Sequence, residues 1–206
     1  MSNVEPTPGP RWTRKRLLQM LIDCYGPSTR GALDVNAVAD YAGVTPTTVR
    51  RWIQPTGHRK PHIPKARIAQ LQRGTDLIER RNEQQYRYAL NAIANVSDGQ
   101  ILPAWTRQQW LDQHHVMIVE IRGKPWHQVI TTKGDRRALT ALKRRATVLE
   151  SAALPTWFHA EVLAYQVMRR QQNWRVHPAR SQLATGRTRV WMADAPLVEL
   201  AALSQI

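Results

Sequence analysis

VNAVADYAGVTPTTVRRWIQ, residues 35–54, is the stretch that decides how the rest of the chain is read. Two short helices joined by a tight turn need a small residue where they cross, and Ala39 supplies it. The turn needs a residue that tolerates positive φ, and Gly43 supplies that. Val38, Ala42, Val44, Val49 and Trp52 fall where apolar side chains would pin the pair to a third helix. Thr45 and Pro46 are the N-cap and first-position residues that a second helix favours. That helix would turn Thr47, Thr48, Arg50, Arg51 and Gln54 outward.

Upstream, Leu17, Leu18, Leu21, Ile22 and Tyr25 recur at three- and four-residue steps, which predicts a helix over residues 13–25 stopped by Gly26 and Pro27. Arg14, Lys15 and Arg16 lie in its first turn, the unfavourable end for the helix dipole, so they serve either an external phosphate or a solvated surface. Residues 1–12, with Pro6, Pro8, Gly9 and Pro10, read as a flexible lead. Downstream, residues 55–64, PTGHRKPHIP, form a basic loop broken by three prolines. From Lys65 the pattern is helical again through Ile68, Leu71, Ile78, Tyr86, Leu90 and Ile93 to about Val96, with Gly74 as a break. Sustained heptads are missing, so a coiled coil is unsupported.

The texture changes after Ser97-Asp98-Gly99. Residues 105–112 suggest a short helix. Residues 116–121 and 126–132 are rich in β-branched side chains and flank Arg122-Gly123-Lys124-Pro125, a β-hairpin signal. Asp135 can cap a helix reaching to about residue 152, with Leu139, Leu142, Ala146 and Leu149 on one face. Pro155 opens another to about residue 172, and residues 190–192 suggest a last strand. The expected fold is therefore mainly α. It would comprise a flexible lead (1–12), a helix-turn-helix DNA-binding domain (13–63), a helical connector (64–96) and a smaller mixed α/β C-terminal domain with a β-hairpin (97–206).

Composition narrows the partners. The 206 residues hold 30 Lys plus Arg against 15 Asp plus Glu, a net charge of +15. A charge so far from neutral points to a polyanion, and nucleic acid is the default. The excess is spread over both halves, so the second half either touches phosphate or avoids repelling it. Arginine dominates lysine, 24 to 6, and suits bidentate contacts to phosphate and guanine. Eight tryptophans against one phenylalanine must carry much of the aromatic core. Cys24 is the sole cysteine, which excludes an intramolecular disulfide and a cysteine metal cluster and fits a reducing cytoplasm. Neither a signal peptide nor a membrane span is legible.

The pattern Ala, three residues, Gly-Val-Thr, then Thr-Val-Arg-Arg-Trp resembles the helix-turn-helix of lambda-repressor-like DNA-binding proteins. The following basic loop, His58-Arg59-Lys60-Pro61, and the helix with Ile68 and Leu71 extend the resemblance over residues 13–72, about a third of the chain. What it implies is a second helix entering the major groove of double-stranded DNA with Thr45, Pro46, Thr47, Thr48, Arg50, Arg51 and Gln54, and with His58, Arg59 and Lys60 near the backbone. Thr47, Arg50, Arg51 and Gln54 are the favoured base contacts, whereas Thr48 could instead complete the helix cap. The implied role is a transcriptional repressor of a phage or mobile element acting by operator occupancy. The alternative is a plasmid or phage replication or segregation protein that binds origin sites. Either a homodimer or a monomer with two DNA-contacting domains would serve.

Weaker signals lie in the second half. Arg122 and Lys124 at the hairpin tip, and Arg136, Arg137 and Arg144 on the following helix, are candidates for a second DNA contact or for an ordinary solvated face. His177-Pro178-Ala179-Arg180 matches a fragment of the tyrosine recombinase signature, but no tyrosine follows Tyr165 to act as nucleophile. The acids are scattered rather than clustered for two metals, His114 and His115 are adjacent and so poorly placed for one metal, and no Gly-rich phosphate loop occurs. The expectation is a protein without catalytic residues, cofactor or metal.

Overall fold

A computed structural model describes residues 4–27, 32–53, 65–74 and 76–204. The element order is α1 (Arg14–Tyr25), α2 (Val35–Ala42), α3 (Pro46–Ile53), α4 (Lys65–Arg73), α5 (Asp76–Ser97), α6 (Pro103–Arg107), β1 (His114–Ile121), β2 (Trp126–Thr132), α7 (Arg136–Arg145), β3 (Ala146–Leu154) and α8 (Trp157–Arg170). A 3-10 turn (Gln172–Trp174), β4 (Arg175–Val176), β5 (Val190–Met192) and α9 (Leu200–Leu203) complete it.

The helices begin where short polar side chains can hold the first free amides. Thr13 accepts from the Arg16 amide, Asp34 from Ala37, Asp135 from Ala138 and Thr156 from His159. Gly74, at φ +90°, separates α4 from α5.

The strands form one five-stranded antiparallel sheet in the order β3-β1-β2-β5-β4. Strand β1 is buried on both faces, and the period of two sorts its side chains. Val116 and Ile118 turn to one face, where they meet Val129, Trp191 and the α8 residues Ala160, Leu163, Ala164 and Val167. Met117 and Val119 turn to the other, beneath Leu142 of α7 and Ala146. Helix α5 lies along α8 through Ala89, Ala92, Phe158 and Val162, with Tyr86 stacked on Tyr165 at 4.2 Å. The indole N–H of Trp105 donates to the Tyr88 hydroxyl at 2.7 Å.

This architecture overturns the expected fold class. The chain is a mixed α/β fold built on a five-stranded sheet, not a mainly α protein with a self-contained helix-turn-helix domain and a small α/β appendage. Leu17, Met20 and Leu21 of α1, Val38 and Ala39 of α2, Val49 and Trp52 of α3 share one buried cluster with Ile121, Trp126, Val176, Leu183 and Val190 from the sheet and its connections. The first helices are thus packed on the sheet end. Residues 76–97, expected as a connector, form a core helix against α8.

The helix expected over residues 135–152 stops at Arg145, and the chain continues as β3. Leu139, Leu142, Ala146 and Leu149 do keep helical spacing, but the free edge of β1 offers a ladder from Ile121↔Ala146 to His114↔Leu154. Paired backbone outweighs weak local periodicity. Residues 4–12, read as a lead, lie against the end of α8: the Thr7 amide donates to Arg170 O at 2.8 Å, and the Trp174 indole to Pro8 O at 2.6 Å.

One buried charge joins several elements. Glu161 in α8 is 3% exposed. It accepts from Gln85 of α5 (2.8 Å), from Thr131 of β2 (2.9 Å) and from both terminal nitrogens of Arg189, which approaches from just before β5. Removing one partner leaves a buried charge uncompensated, which costs about 3–5 kcal/mol. Arg189→Ala is therefore expected to lower unfolding stability in urea by about 3 kcal/mol, while the double variant Arg189→Ala with Glu161→Gln recovers part of that loss.

Candidate nucleic-acid interface

The turn between α2 and α3 is held by backbone bonds that only a left-handed residue allows. Gly43 sits at φ 62°, ψ 41°, and its amide donates back to Ala39 and Asp40. The Val44 amide also donates to Ala39 O at 3.0 Å. These bonds close the last turn of α2 in the manner of a C-capping motif. From α4, Arg67 places one guanidinium nitrogen 2.9 Å from Ala42 O, a cation on the negative end of α2.

Helix α3 starts on the Thr45 side chain, whose hydroxyl accepts from the Thr48 amide at 3.3 Å and lies 3.0 Å from the Thr48 hydroxyl. Val49, Trp52 and Ile53 are buried toward α1 and α2. Thr45, Thr47, Arg50 and Arg51 are exposed, Pro46 and Thr48 half-buried. Among the described residues Arg50 and Arg51 form no ion pair, and α3 carries no acid. The helix therefore presents one threonine and two arginines outward, and Thr48 is occupied with the cap. Gln54, His58, Arg59 and Lys60 lie outside the described residues.

The C-terminal candidates divide. Arg122 is exposed at the hairpin tip. Its amide donates to Arg145 O at 3.0 Å, so the tip and the end of α7 are neighbours. Arg144 is exposed beside it, and the Arg145 guanidinium donates to Thr185 at 3.0 Å. Arg136 and Arg137 are exposed in the first turn of α7, about 12 Å along the helix axis from that end. Lys124 is committed to the fold: it donates to Gln182 at 2.6 Å and sits over the Trp126 ring. Arg145 belongs with Arg122 and Arg144, yet no local pattern announces it, because a pairing across 23 positions places it there.

The basic first turn of α1 is also partly used internally. Arg16 pairs with Asp194 and lies 5.3 Å over the Trp174 ring, while Lys15 stays exposed. His114 is buried with Nδ1 2.9 Å from Asp112 O, and His115 packs at Gly134. His177 is buried and stacked on Tyr41 at 5.1 Å. Burial first, then the charges of Arg187 and Arg175, push its pKa down to about 4.

No family model matches the chain, and no curated protein or solved structure matches it. No helix among the described residues is long and apolar enough to cross a membrane.

Nothing lies within 4 Å of a Cβ built on Gly43, so Gly43→Ala isolates backbone strain. A loss of about 1–2 kcal/mol is expected in urea unfolding.

For His177 the direction of the pH effect follows from which state takes the proton. The unfolded chain binds it below about pH 6.5, whereas the folded chain refuses it until about pH 4. Stability is full above about pH 6.5 and falls as pH drops toward 4. His127 and His159, also lowered by burial, add to the same slope. His177→Gln is expected to flatten the urea midpoint across this window more than any change at either other histidine.

Proposed function

We propose that the chain is a sequence-specific double-stranded DNA-binding regulator of transcription, acting in the cytoplasm by occupying an operator, and that its context is a phage or other mobile element. The observation that carries the reading is α3: an exposed Thr47-Arg50-Arg51 face without an ion-pair partner among the described residues, on a helix whose opposite face is locked into the core. Arginines without an ion pair among the described residues are available to fork onto guanine O6 and N7, while a threonine at the N-terminal end allows close approach to the groove floor. The net charge of +15 supplies the sequence-independent attraction to phosphate. Arg122, Arg144 and Arg145 form a second basic surface suited to backbone contact, with Arg136 and Arg137 further along α7.

Selection from a random duplex library with the full chain tests the reading. A defined motif is expected, and Arg50→Ala or Arg51→Ala should each weaken binding to it by about 1–3 kcal/mol and relax one or two of its positions. Arg144→Ala should weaken all sequences alike and reduce the salt dependence. Failure to enrich any motif, or a motif that the Arg50→Ala, Arg51→Ala double variant retains, overturns the reading. Motif copies at promoters support transcriptional control, and repeated copies at an origin would move the protein to replication or segregation.

A further inference from the structure

The two edges of the sheet are treated differently. At one end β4 contributes only two residues, Arg175 and Val176, a short edge that offers little to pair with. At the other end β3 runs nine residues, Ala146–Leu154, with β1 on one side and no backbone partner on the other among the described residues.

Cations and prolines, two of the usual guards of such an edge, are missing, although the register shifts opposite Ile118 and Val119 and leaves Leu149 as the extra residue of a bulge. Of the 30 basic residues in the chain, none falls within ATVLESAAL, and no proline interrupts it. Its only charge, Glu150, is turned onto its own molecule and accepts from the Leu200 amide at 2.8 Å. Val148 and Leu149 are among the large apolar side chains left exposed, at 38% and 43%. The Arg122 amide donates to Arg145 O, which makes 122 and 145 a hydrogen-bonded pair. The antiparallel alternation then points the backbone of Thr147 toward β1 and that of Val148 outward.

We propose that β3 pairs antiparallel with β3 of a second copy, joining two five-stranded sheets into one continuous sheet across a two-fold axis. An antiparallel edge is complementary to itself, which selects a second copy as the occupant, and the charge pattern leaves β3 as the place where that copy can approach. Most of this surface repels another molecule of net charge +15, and β3 is the long unpaired segment that carries no cation to do so. An antiparallel self-pair is also closed by symmetry, so the assembly stops at two. The inference rests on the sheet edge and does not depend on what α3 binds.

Sedimentation equilibrium of the full chain over a range of concentrations tests it. The expected result is a reversible dimer. Val148→Lys adds a cation to the edge, and Val148→Pro removes an outward amide that no intramolecular bond uses; both should be monomeric with an unchanged far-ultraviolet spectrum. Amide exchange of the unmodified protein gives a measurement free of folding effects: peptides covering residues 146–154 should gain protection as concentration rises, and those covering α5 should not. A monomer at every concentration, a dimer that both variants keep, or β3 protection independent of concentration would each overturn the proposal.

Discussion

A carboxylate buried in the middle of α8 sets the terms for the rest of the molecule. Glu161 finds its interior partners only if Gln85, Thr131 and Arg189 reach it together. Those groups come from α5, from β2 and from the segment leading into β5, so α8 cannot pair that carboxylate fully unless the long helix and two strands are all in place. Apolar packing among Ala160, Leu163, Val167, Val116 and Ile118 supplies attraction but little direction. The charge network adds direction, since a slipped register would leave it unpaired.

A cap involves residues three apart, so local rules can read it from the amino-acid order: Thr45 and Asp135 accept amides as expected. Thr13, Asp34 and Thr156 cap in the same way, although the expected start of the last of these helices is Pro155. The sheet was not legible in the same manner. The β1–β2 hairpin and the strand at residues 190–192 are legible, but β4 is two residues long, too short to show a period, it pairs only β5, and β5 joins β2 from more than 60 positions away. The start of β3 looks helical because Leu139, Leu142, Ala146 and Leu149 keep three- and four-residue steps through a boundary that only pairing with β1 creates. The same blindness to long-range packing made the first helices look self-contained, when Trp126 and Val190 complete their core. For the candidate site, exposure of Thr47, Arg50 and Arg51 follows from helical spacing alone, whereas the commitment of Lys124 to Gln182 and the adjacency of Arg145 to Arg122 do not.

The basic excess is not one undifferentiated surface. Arg16, Arg67, Arg170 and Arg189 are spent on an ion pair, a helix end, a strap carbonyl and a buried acid. Arg50, Arg51, Arg122, Arg136, Arg137 and Arg144 are exposed. Arginine suits both tasks because its planar fork bonds carbonyls and carboxylates as readily as phosphate. A count of charges overstates what is available to a polyanion, and the distinction between the two groups is visible only once the fold is known.

The strap at the start of the chain bears on how such a protein can be taken apart. Thr7 bonds Arg170 O and the Gln171 side chain, and the same fully buried Gln171 donates to Pro196 O at 2.6 Å. Segments 189 positions apart are thus clasped by one amide side chain at the exit of α8. A dissection that cuts the chain into a front piece and a back piece would strip that clasp from both and expose the end of α8 to solvent. Loss of binding in either fragment would then report a broken scaffold rather than the location of the binding surface, and point substitutions on the intact chain are the sounder instrument.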